Sequence, residues 1–173
     1  MRPSLRLVLA GVVLALLGTV PVTAEAAGTR TKIVNAANGE IGQGETPPGS
    51  NCNPYGTCNA WCAHFATWTW RKAGINIPNY AFTGDIYYWG QRKGRAHSGN
   101  TGMKPGDIVL YGTGPQNTST SVHTGVVVAV GNGKITTVEG NSGDKVRKHG
   151  PFNPKKAKDA GRPGNIYGWV SAT

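Results

Sequence analysis

The sequence predicts an α+β fold, and two observations carry that prediction. Apolar residues recur at helical spacing in the first half, whereas the second half is a series of Val-, Ile- and Tyr-rich runs separated by Gly and Pro turns. No helix-length pattern interrupts those runs, so the strands are expected to pair antiparallel rather than to alternate with helices.

The elements follow in chain order. Residues 1–26 have the three-part build of a secretory signal: Arg2 and Arg6 at the start, an apolar stretch over residues 7–17, and small residues over 23–27, with cleavage expected after Ala26. The apolar stretch is only about half the length of a membrane span, so a released chain without a membrane anchor is expected. Residues 27–50 form a Gly- and Asn-rich lead-in with one short helix over 31–41, closed by a loop containing Pro47, Pro48 and Gly49. Over residues 59–73, Trp61, Phe65 and Trp68 fall at i, i+4 and i+7, which predicts an amphipathic helix capped by Asn59 or Thr57 and ended by Gly74. A second helix is expected over 83–92. Strands are expected over 104–112, 122–141 (a hairpin), 145–150 and 165–170, with a polar loop at 112–121 and a basic loop at 153–164.

Removal of 26 residues from the 173 leaves one domain of ordinary size, residues 51–173 carrying the chemistry. The formal charge is +10, and the signal contributes two arginines and one glutamate, so the mature chain carries +9. Such a charge draws an exported protein to anionic polymers, and cell-wall polymer fits the address. Nucleic acid is not expected, because no recognition helix, zinc finger or aromatic RNA-binding pattern is present. A monomer is expected. The rival class is a non-catalytic basic protein that binds polyanions, with its cysteines purely structural.

All three cysteines lie in CNPYGTCNAWCAHF, residues 52–65. Cys52 and Cys58 precede the helix in a stretch that Pro54 and Gly56 can fold back, so a Cys52–Cys58 disulfide is expected. Pairing Cys62 with Cys58 would require a distorted helix start. The spacing C-x5-C-x3-C-x-H matches no usual zinc pattern, and no metal is expected. Cys62 is left free at a helix start, whose partial positive charge favours the thiolate.

A cysteine nucleophile needs a base and a group to orient that base. His64 lies about 200° around the helix from Cys62, and His97 and His149 read as surface groups. His123 opens the Val-rich strand after a polar loop. A three-residue loop at Gly131, Asn132 and Gly133 would pair Gly125 with Glu139 and His123 with Asn141, placing all three polar side chains on one face. A two-residue Asn132-Gly133 loop would shift the pairing by one and send His123 to the other face.

The stretches NAWCAHFATWTWRKAGI, KPGDIVLYG, HTGVVVAV and TTVEGNSG, in that order, resemble the CHAP family of cysteine, histidine-dependent amidohydrolases and peptidases, which cleave bacterial peptidoglycan. The resemblance covers residues 50–150. The PGDIV element also occurs in the related NlpC/P60 peptidases, and EGN favours CHAP. The resemblance implies a papain-like α+β fold with Cys62 as nucleophile, His123 as base, and Glu139 and Asn141 as partners of the imidazole. It further implies a secreted amidase or endopeptidase acting on peptidoglycan without a cofactor. The helix start would stabilise the oxyanion, with Tyr55 as a candidate second donor. Some CHAP domains bind calcium through acids ahead of the cysteine. Residues 51–60 contain no acid here, so that metal is not carried over.

Overall fold

The computed structural model describes residues 22–173; the charged and apolar parts of the expected signal lie outside the described residues. Three helices, α1 (Val22–Gly39), α2 (Cys62–Lys72) and α3 (Thr83–Arg92), precede six strands. These are β1 (Ala96–Ser98), β2 (Ile108–Gly112), β3 (Ser121–Gly131), β4 (Lys134–Glu139), β5 (Arg147–Phe152) and β6 (Ile166–Val170). They form one antiparallel sheet in the order β1-β6-β2-β3-β4-β5, so the fold is the expected α+β. Among the described residues no helix is long and apolar enough to cross a membrane.

Strand alternation divides the core in two. Ile108 and Leu110 of β2, with Val126 and Val138, pack with the helices, which contribute Ile33, Ala37, Phe65, Trp70, Ile86 and Trp89. Val109 and Tyr111 belong to a smaller cluster with Val127, Ile135, Phe152 and Ala157, part of it supplied by the 153–164 loop. Trp89, one of the aromatic residues of α3, stacks edge-on against Trp70 at 5.8 Å inside the first cluster.

Three elements depart from expectation. Helix α1 starts nine residues before the short helix expected at 31, because Ile33 and Ala37 bury completely and Arg30 pairs with Asp107 at 2.7 Å. Asp107, fully buried in the PGD turn, also accepts from the backbone N–H groups of Lys104 and Ala172, which ties α1, the turn and the chain end together. Helix α2 begins at Cys62 with Trp61 as its N-cap and no side-chain cap. Asn59 and Thr57 face the His64 ring instead, at 3.0 and 3.4 Å, so neither reaches the helix N–H groups. Strand β1, three residues in a Gly-rich stretch, is too short to leave a pattern.

The β3–β4 hairpin decides between the two loop types that the sequence leaves open. Gly131 pairs with Lys134, so the loop is the two-residue Asn132-Gly133 turn, with φ of 52° and 69° at those positions. By itself that turn would put His123 on the wrong face. The strand corrects it with a β-bulge: Val128 has no partner between Ala129↔Thr136 and Val127↔Thr137, and beyond it Val126 pairs with Val138. The extra residue shifts the register back by one, giving the alignment that the three-residue loop would have produced.

Candidate active site

Cys62 opens α2 and is 9 % exposed, while Cys52 and Cys58 form the expected disulfide in the preceding loop. With no side-chain cap on α2, the first backbone N–H groups of the helix remain available beside the thiol. Close approach of the helix to the end of β4 depends on Gly140, where a Cβ would collide with Phe65 and Trp61. The thiol is the one free cysteine.

His123 lies on β3 opposite Tyr111 of β2, its ring stacked on the phenol at 5.9 Å. Its Nε2 lies 3.0 Å from Glu139 Oε2, which leaves Nδ1 as the nitrogen for the thiol. Burial pushes the imidazole pKa down, but hydrogen bonds to Cys62 and Glu139, together with their charges, outweigh it and raise the value from 6.5 to about 10. His123 is therefore cationic at neutral pH and lodged between the thiol and the carboxylate.

Glu139 is fully buried and its two oxygens are saturated. Oε1 accepts from Tyr111 Oη at 2.8 Å and Thr137 Oγ1 at 2.7 Å, while Oε2 faces His123 Nε2 and accepts from Arg162 Nη1 at 2.8 Å. Burial alone would raise the carboxyl pKa. The hydrogen bond and charge of His123, the Thr137 hydroxyl and the Arg162 charge reverse that and hold it at about 2. Gly125 makes room for this carboxylate, since a Cβ there would stand 2.6 Å from Glu139 Cγ. His149 approaches Oε2 at 3.9 Å, but burial lowers its pKa, and its Nε2 lies 2.9 Å from Ser142 Oγ.

The structure thus brings Cys62, His123 and Glu139 together. Asn141 follows at the end of β4 in the left-handed region, φ 54°, half-buried, and is not among the hydrogen-bond partners of the imidazole among the described residues. The Tyr55 hydroxyl donates to Glu40 Oε2 at 2.8 Å, and its ring packs edge-on against Phe65 and Trp68. Its place is the aromatic face of α2, because burying the ring requires a partner for the hydroxyl, and Glu40 supplies it. Sequence reasoning missed Tyr111, Thr137, His149 and Arg162. Thr137 alone carried a local signal, two residues before Glu139 on the same strand face.

The residues before the nucleophile do not fit a calcium ion. Asn53 Oδ1 accepts from the N–H groups of Tyr55 and Gly56, and nearby Glu45 accepts from Trp61 Nε1 and the Asn51 N–H. These oxygens are committed to N–H donors, and the disulfide closes the loop.

Comparison with known proteins gives the family and the fold. A model of the CHAP domain matches residues 54–141. No curated protein matches the sequence. Among solved structures, the chain resembles the peptidoglycan hydrolase RipB of Mycobacterium tuberculosis, at 20 % identity and a TM-score of 0.53, covering 88 % of this chain and 67 % of that one. It also resembles a mutated form of the resuscitation-promoting-factor-interacting protein RipA, at 19 % identity and a TM-score of 0.50 over 91 % of this chain and 67 % of that one. Ly7917 in complex with a hydrolysis product of MDP matches at 16 % identity and a TM-score of 0.50, covering 82 % of this chain and 62 % of that one. These likenesses establish the papain-like fold, and with residues 54–141 matched, the chain belongs to the CHAP domain family of cysteine, histidine-dependent amidohydrolases and peptidases.

Proposed function

We propose that the protein is a secreted peptidoglycan hydrolase, an N-acetylmuramoyl-L-alanine amidase or an endopeptidase, acting through a Cys62 acyl-enzyme. The observation that carries this reading is the unpaired Cys62 at a helix start, coupled to a His123 that a buried Glu139 holds. The Cys62 sulfur attacks the carbonyl carbon of an amide, and the electron pair of the C=O bond moves onto oxygen. Backbone N–H groups at the start of α2 receive that oxyanion. The tetrahedral intermediate collapses as His123 delivers its proton from Nδ1 to the leaving amine, which breaks the C–N bond and leaves a thioester. Water then adds to the thioester, with neutral His123 taking its proton. The second collapse expels the Cys62 thiolate beside the reprotonated His123 and releases a carboxylic acid.

Glu139 fixes the orientation of the His123 ring throughout and stabilises the imidazolium when it is protonated, so it acts on the imidazole rather than on substrate. The disulfide supports export to an oxidising compartment, as does the signal-like residues 1–26. Exposed Lys145, Arg147, Lys148, Lys155, Lys156 and Lys158, on the edge strand β5 and the segments that flank it, offer a cationic flank that suits an anionic wall. The test is digestion of purified peptidoglycan followed by mass spectrometry of the fragments. New amine and carboxyl ends are expected from the wild type and not from Cys62→Ala. Full lytic activity in that variant would overturn the mechanism, whereas binding without cleavage by the wild type would favour a polyanion-binding protein.

A further inference from the structure

Glu139 Oε2 serves two cations, His123 and Arg162, and the chemistry proposed above treats them differently. His123 loses its charge each time it delivers a proton. Arg162 never does. A carboxylate buried completely beside a neutral imidazole would stand uncompensated in the middle of the reaction, when a second cation matters most.

The mounting of Arg162 suits that task. It follows Gly161, which caps a 3-10 turn (Lys158–Ala160) in the left-handed conformation with φ 76°, and its own N–H donates to Ala157 O at 3.0 Å. Ala157 is fully buried in the smaller core cluster, so the turn is anchored. The side chain reaches inward until Nη1 is 2.8 Å from Oε2, while its Nε is buried without a hydrogen-bond partner.

We propose that Arg162 is a positioning residue for the hydrolysis: a permanent countercharge that keeps Glu139 ionised when His123 is neutral and prevents the carboxylate from over-stabilising the imidazolium. The inference rests on the Cys62–His123–Glu139 reading. The charged and titratable groups around His123 are Cys62 from α2, Glu139 from β4, Tyr111 from β2, His149 and Arg147 from β5, and Arg162 from the loop. Arg162 is the fixed cation of this set whose nitrogen touches the carboxylate.

Without it, the full charge of Glu139 falls on His123 and a repelling cation is gone. Both effects favour the imidazolium, so deacylation, which needs neutral His123, should require higher pH. The experiment compares Arg162→Met, Arg162→Gln and Arg162→Lys in the full chain. It uses NMR titration of the His123 ring, kcat and KM against pH on a soluble muropeptide, and circular dichroism to verify folding. For Met and Gln, the His123 titration is expected to move up by about one pH unit. The acid limb of kcat should follow it, with KM changed less than twofold, and Lys should restore the wild-type position. A His123 titration unchanged or lowered in folded Met and Gln variants overturns the inference, as does a Gln variant that behaves as wild type. Because the titration needs no substrate, failure of the peptidoglycan reading appears as absent turnover with the shift intact, and failure of this inference appears as turnover without the shift.

Discussion

Replacing Glu139 by glutamine removes one buried charge and almost no volume, which isolates what the carboxylate does for the fold. Gln can still accept from Tyr111 and Thr137 through one oxygen, but it sets an amide N–H₂ against His123 and Arg162, both donors. The wild-type carboxyl titrates at about 2 against an ordinary 4.5, which corresponds to about 3 kcal/mol of stability at neutral pH. Loss of one partner from a buried charge pair costs a similar amount, about 3–5 kcal/mol. The raised His123 value reflects the same ion pair and is not added to it. The sign follows from the direction of the shift. A depressed carboxyl stabilises the folded state fully above 4.5, and that contribution disappears as pH falls through 2. Urea unfolding of wild type and Glu139→Gln at several pH values is therefore expected to show a gap of about 3 kcal/mol from pH 5 to 7 that closes toward pH 2. A gap below about 1 kcal/mol, or one of constant size down to pH 2, would refute the reasoning.

Four further outcomes are expected. Cys62→Ser should remain folded by circular dichroism and lose at least about a thousandfold in muropeptide turnover, because a serine hydroxyl lacks the acidity of a thiol. The double variant Cys52→Ser with Cys58→Ser should unfold with roughly 2 kcal/mol less stability, the loop being short, and should retain a single reactive thiol in alkylation followed by mass spectrometry. Gly125→Ala inserts a methyl 2.6 Å from Glu139 Cγ, so the carboxylate must move, and the NMR titration of His123 is expected to drop toward 6.5. Tyr55→Phe should lower stability by about 1 kcal/mol through the lost bond to Glu40 and leave kcat within about twofold; a loss of kcat at unchanged stability would support a role as an oxyanion donor.

Much of the site was legible because its parts are local. Cys62 announces itself as the cysteine left over from a loop that can close on itself, and His123 and Glu139 lie on two strands of one hairpin. Period-two alternation then decides which side chains meet. What the residues left open was the loop. The two-residue turn was recognisable in Asn132-Gly133, but the compensating bulge at Val128 lies within a run of three valines and an alanine, where nothing in the residue types marks one as unpaired. Arg162 was invisible for a different reason: it reaches Glu139 from 23 positions away through an irregular loop, so neither periodicity nor spacing reports the contact. Tyr111 was similarly hidden, because β2 reads as an ordinary apolar strand and only the antiparallel pairing with β3 sets its phenol beside His123. Helix α1 ran longer than expected because its anchors, Arg30 and Ile33, bind the PGD turn and the core rather than each other.

The bulge at Val128 sits between the Asn132-Gly133 turn and the alignment of β3 with Glu139. Because Val128 has no partner, deleting it should leave Val127 paired with Thr137 and every pairing beyond it intact, so His123 should keep its place on the face of Glu139 above an unbulged two-residue hairpin. The outer half of the hairpin is consequently free to be rebuilt, as a tag site, a graft or a new loop, provided Val127 still pairs with Thr137.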